Sequence, residues 1–208
     1  MTAAFTKLTF TDSVKAVQSQ QGSRAAYARV EHGADSADAM GLSEAQFIQE
    51  RDSFYQATVS ETGWPYVQFR GGPAGFLKVL DPAALGYADL HGNRQYLSVG
   101  NIKSDGRIAL ILMDYPNRRR LKIWGRAKVV EEKDAPDLLA RLQMPGDRGN
   151  VERAIVIDVQ AYDWNCPRHI TPRFSEAEVG EWAGALQQEL AQLQVENARL
   201  KAALAAKR

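Results

Sequence analysis

The chain has 208 residues, 45% of them hydrophobic and 25% charged, with a formal net charge of +1. That length and composition suit a soluble globular protein with one buried core and an appendage. The near-neutral balance argues against a nucleic-acid footprint spread over the whole surface. No apolar run approaches the roughly 20 residues that a membrane span needs. The start, MTAAFTKLTFTDSVKAVQ, lacks the zones of a secretion signal. The single cysteine, Cys166, permits no internal disulfide, and together these features predict a reducing, cytoplasmic setting.

In chain order, residues 1–49 read as a helical segment. The stretch FTDSVKAVQSQQGSRAAYARVE carries an apolar stripe at helical spacing and stops at Gly33. DSADAMG suits a loop. In LSEAQFIQERDS, Ser43 followed by Gln46 has the spacing of a capping box and opens a short helix. FYQATVS and PYVQFR are β-prone and are joined by ETGW, a hairpin turn. GFLKVLD is a further short strand. A turn at His91-Gly92-Asn93 precedes a strand predicted over Gln95 to Val99.

RIALILMD is apolar almost throughout, as expected of a central strand. RLKIWGRAKVVEE alternates in its first half, DAPDLLARLQM is a helix starting near Pro136, and ERAIVIDVQAYDW is one more strand. Many short strands joined by turn chemistry predict an antiparallel barrel or sandwich. With flanking helices the class is α+β.

The tail, residues 173–208, is different. Leu186, Leu193 and Leu200 recur every seven residues, and Leu190, Asn197 and Leu204 form a second series offset by four. Taken as d and a positions, they make a heptad seam with one asparagine at a, which favours a parallel two-stranded coiled coil. Glu196 falls at g and Lys201 at the next e. The alternative is a solvent-edge helix packed on its own barrel.

Several catalytic patterns are absent: no P-loop, no G-x-G-x-x-G after a strand, no G-x-S-x-G elbow. His32, His91 and His169 show no paired metal spacing, and no metal site is expected. Cys166 and His169 in WNCPRHI are better read as a packed turn than as a thiol–imidazole pair. What remains is a set of polar and basic residues on the sheet. Gln68 and Arg70 lie two apart and share a face, as do Tyr96 and Ser98. Lys78 lies on the next strand. Asn101 and Lys103 follow where a strand hands over to a turn or short helix, rich in free N–H groups. Three arginines, Arg118 to Arg120, open a strand. Such groups can converge on one anion, arginine by bidentate contact and lysine as a point charge.

ATVSETGWPYVQFRGGPAGFLKVLD, GNRQYLSVGNIKSDGRIALILMD and YPNRRRLKIWGRAKVVEE resemble the pyridoxamine 5′-phosphate oxidase-like, FMN-binding split-barrel superfamily. Within it they look most like the branch of predicted flavin-nucleotide-binding proteins. The resemblance covers about residues 50–170 and implies an antiparallel split β-barrel over 50–172. It implies a homodimer with FMN at the subunit interface and a small-molecule substrate or electron donor. It places Gln68 and Arg70 on the strand reaching the FMN phosphate and ring edge. Lys78 falls near flavin or substrate, and Tyr96, Ser98, Asn101 and Lys103 along ribityl chain and phosphate. Arg119 and Arg120 match the pair that crosses to the cofactor, and Arg118 is the solvated one. The chain departs from the oxidase proper in carrying Gln68 in place of an arginine and in the insertion GGPAG before Lys78. The resemblance implies an FMN-dependent oxidoreductase acting on another substrate. A non-catalytic carrier or sensor of flavin, haem or a deazaflavin is the alternative.

Overall fold

Alternation in the first two strands shows in which of their side chains are sheltered. In the computed structural model, which describes residues 2–31, 39–145, 151–164 and 167–206, β1 (Ser53–Val59) and β2 (Pro65–Gly71) form the expected hairpin. Val59 pairs with Pro65 and Ser53 with Gly71. Phe54, Gln56 and Thr58 of β1 point inward and are buried. Tyr66, Gln68 and Arg70 of β2 share its more sheltered face, while Val67 and Phe69 stand outside.

The remaining strands are β3 (Lys78–Asp81), β4 (Ala84–Leu90), β5 (Arg107–Asp114), β6 (Arg119–Glu131) and β7 (Val151–Trp164). All neighbours pair antiparallel, in the order β2-β1-β5-β6-β7-β4-β3. RIALILMD, as β5, is indeed internal to the sheet. The sheet curls until its two ends meet through side chains. Tyr87 of β4 donates its hydroxyl to Gln56 Oε1 of β1 at 2.5 Å. Phe54 packs edge-on to Tyr87 and face-on to Phe76. The closure is by side chains rather than by ladder hydrogen bonds, so the barrel is split. Leu77, Leu85, Leu112, Leu121, Ile123, Ile155 and Ile157 fill it.

The strand expected over Gln95 to Val99 is instead a turn leading into helix α5 (Leu97–Ser104). Tyr96 and Ser98 looked like one strand face, but the buried residues are Ser98, Val99 and Ile102, a helical spacing. The strand lies earlier, at β4, whose alternation is masked because Leu85, Gly86, Tyr87 and Asp89 are all buried. The N-terminal stripe breaks into α1 (Ala3–Thr9), α2 (Asp12–Gln20) and α3 (Arg24–Ala28). Phe5 of α1 clusters with Ala161 of β7. Helix α4 (Leu42–Gln49) is capped two residues earlier than expected: Gly41 N–H donates to Glu44 Oε2 at 3.0 Å, and Ser43 lies inside the helix. Helix α6 (Pro136–Leu142) starts at its proline, as the sequence predicts.

The chain divides into two compact units, residues 1–114 with 118–169, and 115–117 with 170–208. The second unit contains α7 (Glu176–Ala205), a continuous helix over the expected heptads. No helix among the described residues is long and apolar enough to cross a membrane. His32 and Cys166 lie outside the described residues.

Candidate functional site

One cleft, about 260 Å³, opens between β2, the end of β4 and the start of α5. Its floor is the sheltered face of β2, with Tyr66, Gln68 and Arg70. Its rim is the segment Gly92 to Tyr96, and its far wall is Leu97, Ser98 and Val99.

The rim is bent into an uncommon shape. Arg94 and Tyr96 both adopt the left-handed region, at φ 62° and 54°. Each non-glycine residue there costs roughly 1–2 kcal/mol. Contacts on Tyr96 offset that cost. Its hydroxyl donates to Glu152 Oε1 at 3.1 Å, and the Arg153 guanidinium sits 5.1 Å from its ring centroid. His91 Nδ1 lies 2.8 Å from the same Glu152 oxygen. Partial burial works against the Glu152 carboxylate, but the bonds from His91 and Tyr96 and the nearby Arg153 hold its pKa below the ordinary value.

This bend aims the start of α5 at the cleft. Tyr96 is the N-cap residue, and no side chain caps the helix. The first backbone bond of the helix is Gly100 N–H to Tyr96 C=O. The N–H groups of Leu97, Ser98 and Val99 therefore precede the ladder and carry the positive end of the helix dipole. Ser98 Oγ donates to Gln68 Oε1 at 2.8 Å, which leaves the Gln68 amide nitrogen as the donor on the cleft floor.

Arg70 Nη1 donates to Asp89 Oδ1 at 3.0 Å, and Arg153 Nη1 reaches Asp89 Oδ2 at 3.4 Å. Burial pushes the Asp89 carboxyl up, against the pull of these two guanidinium groups. Arg70 Nε is buried and has no hydrogen-bond partner. Arg94 is exposed and has no ion-pair partner among the described residues. The cleft thus combines uncapped helix N–H groups with the Arg70 and Arg94 guanidinium groups, the latter without an ion-pair partner among the described residues, and its one carboxylate, Asp89, is already shared by two arginines. Groups of this kind, converging on one cleft, can take an anion.

Of the residues expected from sequence, Gln68, Arg70, Tyr96 and Ser98 come together here. The others stand elsewhere in the same unit. Lys78 Nζ donates to Met144 Sδ at 3.3 Å. Asn101 Nδ2 donates to Thr58 Oγ1 at 3.0 Å, pinning α5 to β1. Lys103 pairs with Glu131 at 2.9 Å. Arg119 lies over the rings of Phe47 and Trp164, 5.1 and 4.9 Å from their centroids. Arg120 is half-buried opposite Met113 in the β5–β6 ladder. Tyr66, Asp89, Asn93 and Arg94 line the cleft and were not anticipated. No sequence pattern marks Arg94, whose loop is turned toward the cleft only by the fold.

Among the described residues no cluster of His, Cys, Asp or Glu is arranged to hold a metal ion. The model of the pyridoxamine 5′-phosphate oxidase family matches residues 44–159. No curated protein matches the chain. Among solved structures, a tagged variant of HupZ from Group A Streptococcus aligns with a TM-score of 0.50 at 16% identity, covering 61% of this chain and 99% of that one. A putative pyridoxamine 5′-phosphate oxidase from Lactobacillus delbrueckii has a TM-score of 0.47 at 22% identity, covering 60% and 93%. An FMN-binding protein from Syntrophomonas wolfei has a TM-score of 0.47 at 11% identity, covering 60% and 86%. The HupZ likeness is one of fold. The family match spans more than half of the chain, including every strand from β1 to β6 and most of β7, and on that ground the chain belongs to the pyridoxamine 5′-phosphate oxidase family.

Proposed function

We propose that the chain is an FMN-binding flavoprotein, an oxidoreductase with a substrate other than pyridoxamine 5′-phosphate, and that the α5 cleft takes the FMN phosphate. The observation that carries this reading is the meeting of the uncapped α5 N-terminus with Arg70 and with Arg94, which has no ion-pair partner among the described residues. A phosphate monoester needs several converging donors and tolerates little competing negative charge. The cleft residues fit that need: the N–H groups of Leu97 to Val99, the Gln68 amide and the two arginines would hold the phosphate. Bound FMN would supply hydride or electron transfer at its ring. The cleft is too small for a whole flavin nucleotide. The outer sheet face beside it carries exposed Tyr55, Val67, Phe69 and Trp124. An apolar face of that kind supports a homodimer with the cofactor at its interface.

A visible absorption spectrum of the purified protein, followed by FMN and riboflavin titrations, tests the reading. Wild type is expected to bind FMN more tightly than riboflavin, and Arg94→Ala to weaken FMN about tenfold while leaving riboflavin unchanged. A protein that stays colourless after incubation with FMN overturns it.

The alternative is a non-catalytic carrier or sensor of flavin, and turnover separates the two readings. Bound flavin that no nicotinamide donor reduces, and whose reduced form dioxygen does not reoxidise, would identify a carrier or sensor.

A further inference from the structure

Helix α7 is thirty residues long and none of them is buried. Its start is firmly set. Ser175 N–H donates to Glu178 Oε2 at 2.7 Å, and Glu178 N–H donates to Ser175 Oγ at 3.2 Å. Val179, Leu186, Leu190, Leu193, Leu200 and Leu204 are 46–66% exposed along one stripe. A soluble helix that shows such a stripe to water has a face made for a partner.

Three features identify that partner as a second copy of the same helix. First, the stripe is narrow, with a strict a and d repeat of seven, which is the seam of a coiled coil rather than the broader face of a helix packed on a sheet. Second, Asn197 occupies an a position. Facing its own counterpart, its amide is satisfied by the identical amide. Buried against an unrelated apolar groove it would be left unpaired. Third, Glu196 at g and Lys201 at the following e attract one another across two parallel chains in register.

We propose that α7 pairs with α7 of a second copy as a parallel, in-register, two-stranded coiled coil centred on Asn197. This pairing is independent of what the barrel binds.

Disulfide trapping in the full chain tests it. In a Cys166→Ser background, Leu200→Cys stands at a d position and Arg199→Cys at the outward c position. Under air oxidation at low micromolar concentration, Leu200→Cys is expected to form covalent dimer at least ten times faster than Arg199→Cys. Leu193→Cys, also at d, serves if Leu200→Cys does not fold by circular dichroism. Equal rates at d and c overturn the proposal and place the stripe against the chain's own surface or another protein. A mixture of Leu186→Cys and Leu200→Cys chains that yields mainly the mixed disulfide also overturns it, because that reports antiparallel pairing. Asn197→Leu is expected to add trimers or tetramers to the mass distribution measured by light scattering. An unchanged distribution removes Asn197 from the seam.

Discussion

Arg70 of β2 and Asp89 of β4 form a 3.0 Å ion pair across the split of the barrel, where no backbone ladder joins the two strands. Asp89 is also held by Arg153 of β7. One carboxylate therefore ties together three strands beside the cleft, and its energetics are set by burial more than by attraction.

The pH dependence follows from that balance. Burial raises the Asp89 pKa in the folded chain, so the folded state holds the proton more tightly than the unfolded state. The contribution of this group to stability is complete below the ordinary aspartate value. It is lost as pH rises through the interval between that value and the folded one. Asp89→Asn removes this slope. Urea denaturation across that interval is expected to show the stability of wild type declining relative to the variant as pH rises. A relative gain for wild type would contradict it.

Arg119 is expected to matter for stability and not for flavin. Its guanidinium spans the rings of Phe47 and Trp164. Arg119→Ala should cost about 1 kcal/mol in urea denaturation, as a partly exposed cation–π contact does. FMN affinity should stay as in wild type, whereas Arg94→Ala lowers it.

Gly125 and Gly86 should respond differently to alanine. A Cβ at Gly125 would lie 2.7 Å from the Asp158 carbonyl oxygen, at the bulge where β6 and β7 shift register. Backbone on the far side cannot swing away. Gly125→Ala is expected to destabilise by about 1–3 kcal/mol. A Cβ at Gly86 meets the tips of Leu80 and Leu142, which can rotate aside. Chemical denaturation should rank Gly86→Ala as the milder change.

Arg118 offers a stabilising substitution. It is exposed at the turn into β6 with φ 53°. Arg118→Gly relieves the left-handed strain but frees the unfolded chain, and the net gain should be about 0.5–1 kcal/mol. A lowered melting temperature would show that the arginine side chain makes a contact worth more than the strain.

Where burial alternates, the sequence shows it. Leu121, Ile123 and Ala127 of β6 are buried between exposed or half-buried neighbours, and both the strand and its hairpin with β5 are legible from that pattern alone. β4 is not, because both of its faces are covered and glycine and alanine dilute its β character. The start of α5 was misread for the opposite reason. Tyr96 and Ser98 mimic a strand period, while the left-handed turn that actually places them depends on Glu152 and Arg153, more than fifty residues away. The arginine run showed a similar limit. Its charge was plain, but the rings of Phe47 and Trp164 that receive Arg119 come from distant segments. Four of the residues that line the cleft, Gln68, Arg70, Tyr96 and Ser98, could be named from residue type and resemblance. Arg94 could not, since only the fold turns that loop toward the cleft.

Helix α5 has eight residues and is stitched to the sheet by Ser98 to Gln68 and by Asn101 to Thr58. A helix that short has almost no persistence of its own in water. It should therefore open only together with β1 and β2, as one cooperative unit, and its amide protons should exchange at the pace of those strands. A ligand anchored on its N-terminus would then share the stability of the hairpin: weakening β1–β2 would loosen the helix start and lower affinity without touching a single group that contacts the ligand.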